Sequence, residues 1–535
     1  SSHFGSSKPC IRSSSHLPED DMAAQISDVE PCSVSDDDCP GSLANEEVSC
    51  NSDQKDEVSC KSDEKDQATL DRDKSWVIFL LAAVSSVEGA DMSLFASVAF
   101  AMQMDLGLGL TEISLLNMWS GIAGCCAAPV WGVLADRRVL TRRAILTVGC
   151  LGWGITTILL AVFDTWSLMM ALRALNGVFL ACLRPISNGL VPDMVPETQR
   201  GKVFGQIQFA MDIGTMLAPF LVTPVSTRVV LGVYGWRVAF AAVGLVSVAL
   251  ALLVGLTMVE PPKEGAPAEG PADGDSRGGL AKVGAAASEE ACRLVGLFRS
   301  PTFVIIVLQG LFGMCFWSAL GSMTMFFQTA GLTDFNAGFI TTLQRGTGAI
   351  GHLLGGLIGD RASVRWPIHG RAFIAQVSVA AGIPVVWLMF SALEPGPDMF
   401  IPYCFLVTFF GLTAMWCAAG VNWPIFCEIV PAESRSTVVA WDTALEGLSS
   451  SILGNMMVAF LAKLSGYEDP ERGAPMRNQA NAVALGHGLF WTTFAPLTIC
   501  LVFYSLLHWS YPLDRARVQR QAAAAADAKS ESERI

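Results

Sequence analysis

The chain has 535 residues, 52% hydrophobic and only 16% charged, with mean hydropathy +0.45. Soluble domains carry about a quarter charged residues, so this composition excludes an ordinary soluble enzyme. The formal charge of −14 excludes a nucleic-acid partner, but its placement says more: 18 of the 49 acids and 7 of the 35 bases lie in residues 1–75.

Residues 1–75 are rich in Ser, Asp and Glu and hold a tandem ten-residue repeat, Glu47–Asp56 followed by Glu57–Asp66. Such a stretch buries too little apolar surface to offset the entropy of ordering, so a disordered acidic tail is expected. From Trp76 onward, apolar runs long enough to cross a bilayer alternate with short polar breaks. Span one (76–101) carries Glu88 and Asp91, about 60° apart on a helix. Span two (113–135) runs into GVLADRRVLTRR, which holds Gly132, Asp136, Arg137, Arg142 and Arg143. Span three (143–163) is followed by span four (166–190), where Arg173 and Arg184 share a face that Asn176 and Asn188 extend. Span five (203–223) carries Asp212, and span six (237–259) precedes a Gly-, Pro- and Ala-rich linker at 260–300.

The second half repeats the plan with spans seven (302–328) and eight (335–359), then nine (371–392) and ten (399–426), then eleven (437–463) and twelve (485–509). Span eight holds Arg345 and His352 and runs into GLIGDR, with Asp360 and Arg361. Span eleven carries Asp442 and Glu446 one helical turn apart. The expected fold is therefore an all-α membrane protein of 12 transmembrane helices in two six-helix halves, 76–259 and 301–509, with a second tail at 510–535. Loops on the side of the tails and linker hold 15 Lys and Arg against 5 opposite, which places both termini in the cytosol.

Asp136 and Asp360 fall at matching places in the two halves. So do Asp193, Pro196 and Arg200 of one loop and Glu428, Pro431 and Arg435 of another, 235 residues on. Two motif pairs at corresponding loops imply an internal duplication, as transporters commonly show. Gly132-x-Leu134-Ala135-Asp136-Arg137 with Arg142-Arg143 resembles the loop 2–3 signature of the major facilitator superfamily, and Arg173-x-x-Asn176-Gly177 resembles its helix-four motif. Val139 stands where that signature usually has Gly, and the second copy is fragmentary. Val87–Leu94, Gly235–Gly244 and Ala440–Ser451 resemble the spinster-like group and its plant and algal relatives, although Gly89 follows Glu88 where that group usually has Arg. The resemblance implies a conformational switch at Gly132, Asp136, Arg137, Arg142, Arg143, Asp360 and Arg361, with Asp136 facing the start of span eleven near Ser436. It also implies lysolipid or sphingolipid movement as one substrate class.

Ionisable groups at bilayer depth cost about 2.5–3.5 kcal/mol each on insertion scales, so they mark function. Glu88, Asp91, Arg173, Asp212, Arg345, Asp442 and Glu446 are the candidates for proton coupling and substrate contact, in a cavity between the halves. A carboxylate there, Glu88 or Asp91, takes up a proton when desolvated and releases it when Arg173 or Arg345 approaches. The expected function is secondary active transport of a small organic or amphiphilic solute by alternating access, proton-coupled, in a monomer that binds substrate, protons and bilayer lipid. A passive facilitator and a non-transporting sensor that signals through its tails are the alternatives. No phosphate loop, catalytic constellation or CxxC occurs, so neither an enzyme, a cofactor nor a metal is expected.

Overall fold

The structure, a computed structural model, describes residues 53–136, 140–230, 232–259, 298–430, 435–469, 471–472 and 477–532. The chain divides into two units, Ser1–Lys65 and Asp66–Ile535, and the account below concerns the second. The first half comprises α1 (Asp53–Leu106), α2 (Leu110–Asp136), α3 (Arg142–Val162), α4 (Trp166–Leu180), α5 (Leu183–Met194), α6 (Glu197–Leu221), α7 (Thr223–Ser226) and α8 (Gly235–Thr257). A two-stranded antiparallel hairpin, β1 (Val229–Val230) and β2 (Val233–Tyr234), closes the loop before α8. The second half comprises α9 (Pro301–Ala319), α10 (Met323–Thr329), α11 (Asp334–Arg365), α12 (Gly370–Trp387), α13 (Phe400–Thr413), α14 (Trp423–Ile429), α15 (Arg435–Leu464) and α16 (Gln479–Ser532).

Among the described residues nine helices are long and apolar enough to cross a membrane, and two shorter apolar ones lie at 166–180 and 397–413. The two shorter ones belong to spans four and ten, which are broken rather than continuous as expected over 166–190 and 399–426. Span four breaks at Ala181–Cys182, between α4 and α5. Pro185, four residues on, has no N–H to give the Ala181 carbonyl. Span ten breaks after α13 and passes through a π turn, Ala418–Asn422, before α14. Pro424 lies four residues beyond Gly420 and produces the same conflict, relieved here by the wider turn. The outer helices also run past the expected membrane ends. Helix α1 begins at Asp53 rather than near Trp76, and α16 continues through 510–532, where an alanine run of high helix propensity sustains it.

The two halves meet along two seams. On one, Ser114 of α2 donates to the Asn455 carbonyl of α15 at 3.1 Å, and Gly447 of α15 faces Cys125. On the other, Thr342 of α11 donates to the Met216 carbonyl of α6 at 3.3 Å, and Gly338 packs against Pro219. The Ser114, Thr342 and Gly338 contacts lie on the parts of the helices nearest the loops at 107–109, 227–234, 330–333 and after α15, here the loop end, while Gly447 meets Cys125 near mid-helix. Toward the opposite end, which carries the linker and tails, Gly132 of α2, Gly205 of α6 and Gly356 of α11 face open space. Among the described residues, the hydrogen bonds named between the halves lie at the loop end.

Candidate functional site

The expected intramembrane charges fall into three groups rather than lining one cavity together. The first lies inside the first half. Asp91 and Glu88 of α1 and Arg173 of α4 are 4%, 8% and 6% exposed. Thr157 of α3 donates to the Trp153 carbonyl at 3.0 Å, and its hydroxyl lies 3.5 Å from Asp91 Oδ1. Arg173 donates to Asn176 Oδ1 and to Asn117 Oδ1, both at 3.3 Å, while Asn176 Nδ2 donates to Thr157 at 3.1 Å. The guanidinium lies 4.5 Å from the centre of the Phe95 ring, and its charge acts on Asp91. Four helices thus hold one carboxylate and one guanidinium in a buried polar nest, joined through amides and a hydroxyl. The charge of Glu88, one turn earlier, acts on Cys150 of α3 and on Cys182 at the break in span four.

The second group spans a seam. Asp212 of α6 accepts from Gln208 at 3.0 Å, and its charge acts on Arg345 and His352 of α11. The third belongs to α15: Asp442 is 5% exposed, its Oδ1 has no hydrogen-bond partner among the described residues, and the Glu446 carboxylate packs directly against Gly310 of α9. Beside it, Tyr504 of α16 donates to Asn422 at 3.1 Å and Asn422 to Gln309 of α9 at 3.1 Å, which ties the π turn of span ten to spans seven and twelve. The Arg184 side chain lies outside the described residues.

At the tail end, Gly132 of the loop 2–3 motif faces open space, while Arg137 and the side chain of Asp136 lie outside the described residues. The expected approach of Asp136 to Ser436 lies outside them too. Arg142 and Arg143 open α3, and Arg143 donates to the Gly255 carbonyl near the end of α8. In the second half Arg371 bonds Asp360 at 3.1 Å and the Gly420 carbonyl at 2.8 Å, and lies 3.7 Å from Glu428. Among the described residues Arg361 donates to the Leu357 carbonyl of its own helix. Glu428 also pairs with Arg515 at 3.3 Å and accepts from Tyr511. In the second half, acids and arginines thus converge at the tail-end mouth of the bundle.

The model of the Major Facilitator Superfamily matches residues 81–454, most of the membrane region. The chain belongs to the Major Facilitator Superfamily. Membership places this facilitator among multi-pass membrane transporters and not among enzymes. Over 119 residues it is 35% identical to the multidrug resistance protein MdtG of Escherichia coli O1:K1, and the match spans 28% of that protein and 21% of this chain. A bacterial homologue of the human lysosomal transporter Spinster, in an inward-facing and occupied conformation, shares the fold with TM-score 0.66 at 19% identity, covering 82% of this chain and 98% of that one. A D-xylose–proton symporter shares it with TM-score 0.60 at 15% identity, covering 81% and 97%.

Several polar residues of the facilitator's clusters were not singled out by their sequence: Asn117, Thr157, Gln309, Asn422 and Tyr504. Uncharged polar residues in apolar runs are common, and only packing shows which of them converge. A clamp at the loop end was missed for the same reason. Arg237 bonds Asp105 at 2.8 Å and Asp164 at 2.8 Å, and its guanidinium lies 4.4 Å from the Trp236 ring.

Proposed function

We propose that the chain is a secondary active transporter of a small organic or amphiphilic solute, coupled to protons through Asp91. The observation that carries this reading is the buried nest in which Asp91 and Arg173 face one another through Thr157, Asn176 and Asn117. A buried charge is tolerated only while an opposite charge and hydrogen bonds compensate it. Protonating Asp91 removes half of that compensation and frees Arg173 for substrate or for a new position of α4. The nest contacts α1, α2, α3 and α4 together, so its charge state bears on how the first half packs. With tails and linker in the cytosol, as the 15-to-5 distribution of bases supports, the tail end faces inward.

Proteoliposomes loaded with a solute panel, with and without a pH gradient, test the proposal. Asp91→Asn should abolish gradient-driven uptake while leaving solute exchange. Gradient-driven uptake that survives Asp91→Asn would overturn the assignment.

A further inference from the structure

His369 immediately precedes α12 and His508 lies on α16, and their Nδ1 atoms face one another 3.0 Å apart at the tail end of the second half. A chain of hydrogen bonds fixes the proton on His508. Ser505 donates to the Leu501 carbonyl at 2.8 Å, and a carbonyl can only accept, so the one hydroxyl proton of Ser505 is spent there. Ser505 Oγ therefore accepts from Gln376 Nε2, at 2.8 Å. This orients the amide so that Gln376 Oε1 faces His508 Nε2, 3.0 Å away. Oε1 can only accept, so the His508 proton sits on Nε2 and, in the neutral ring, Nδ1 presents a bare lone pair toward His369.

We propose that His369 and His508 form a binding site for a divalent transition metal of the zinc type, with the two Nδ1 atoms as ligands and water completing the shell. Metal-ligating histidines characteristically donate their other ring N–H to an oxygen that locks the tautomer, and Gln376 does this for His508. A tetrahedral zinc with bonds of about 2.0–2.1 Å sets its nitrogens roughly 3.4 Å apart, a small opening from the observed separation. His369 is exposed and free to make that adjustment, moving its own proton to Nε2. The nearby arginines do not oppose a cation strongly. Arg371 is neutralised by Asp360 and Glu428, and Arg515 by Glu428 while its other nitrogen holds the Pro367 carbonyl. Imidazole ligands select zinc, nickel or copper over magnesium and calcium. Bound metal would pin the start of α12 to α16.

Zinc titration by calorimetry of the full chain in lipid nanodiscs tests the site, with His3→Ala and His16→Ala in the background to remove the tail histidines. One zinc per chain is expected, with magnesium inert. His369→Ala and His508→Ala should each weaken binding at least tenfold. Gln376→Leu, which leaves both rings but takes away the acceptor that sets the tautomer, should weaken it about 10–100-fold. His369 is exposed, so its replacement leaves the fold intact and its result stands alone. Zinc binding unchanged in both histidine variants, or no saturable zinc binding in the parent, would overturn the proposal.

Discussion

Gly89 stands where spinster-type proteins usually place an arginine, and its neighbours explain the exchange. A Cβ on Gly89 would overlap the Met211 carbonyl oxygen of α6, and one on Gly214 of α6 would overlap the Ser86 carbonyl of α1. The two helices cross backbone to backbone, as small residues permit in membranes. Gly214→Ala is therefore expected to destabilise the protein by about 1–3 kcal/mol through overpacking. Gly205→Ala, where nothing lies within 4 Å of the added atom, should stabilise it by roughly 0.5–1 kcal/mol through backbone entropy. Thermal unfolding of both variants in one detergent compares them, and equal midpoints would refute the crossing. The same contrast shows how far single residues could be read from the sequence. Asp91 and Arg173 were visible because a charge in an apolar run is costly. Neither the partner of Gly89 nor the amides around Arg173 were visible, since these depend on which helices touch. The Arg237 clamp joins α8 to the end of α1 and the loop before α4, so Asp105→Ala, which leaves a mostly buried guanidinium short of its partner, should cost about 3–5 kcal/mol in the same assay.

At the scale of elements, the six-plus-six plan was legible because hydrophobic runs and their punctuation are local properties. The breaks in spans four and ten were not, because each run stays apolar through its break. The cue was present in Pro185 and Pro424, four residues beyond Ala181 and Gly420. The duplication then gains a further pair, since Cys182 at one break lies 235 residues before Cys417 at the other, the offset that relates the two loop motifs. Cys182 packs on Gly149 of α3, and Cys417 lies near the Ala375 carbonyl of α12, so corresponding helices meet at corresponding breaks. If these breaks are hinges, easing one should trade mobility for stability. Pro185→Ala restores an amide proton to the ladder and is expected to raise the unfolding midpoint while lowering transport turnover several-fold. Turnover at the parent rate in a more stable variant would show that the break is not a hinge.

For the whole molecule, the question is what holds the loop end shut. Tyr467, Asp469 and Arg472, in the loop after α15, strap the two halves together. Asp469 accepts the Leu110 amide at the start of α2 at 2.9 Å and pairs with Lys463 at 2.7 Å. Arg472 donates to the Asp105 carbonyl at 2.7 Å, and Tyr467, 5% exposed, donates to Gln103 of α1 at 3.3 Å. On the other seam Asp334 accepts from Thr227 of the first half at 2.5 Å and from Arg477 at 3.1 Å. Alternating access requires all of these to part. Burial pushes the Tyr467 hydroxyl up to about 12, despite its bond to Gln103. A hydroxyl raised from its ordinary value near 10 keeps its full contribution below pH 10 and loses it as pH rises toward 12. Two units correspond to about 2–3 kcal/mol. The tyrosine contact is thus constant across physiological pH and fails only in alkali. Spin labels at the exposed Val229 and Asp398, one on each half at the loop end, should report a single short distance in the parent at neutral pH. Asp469→Ala should add a longer distance by removing the acceptor at the start of α2. Raising the pH from 9 to 11 should lengthen the distance in the parent but not in Tyr467→Phe, whose ring cannot ionise. A parent distance unchanged through pH 11 would remove Tyr467 from the closure, and one unchanged in Asp469→Ala would place the closing energy in the helix seams instead.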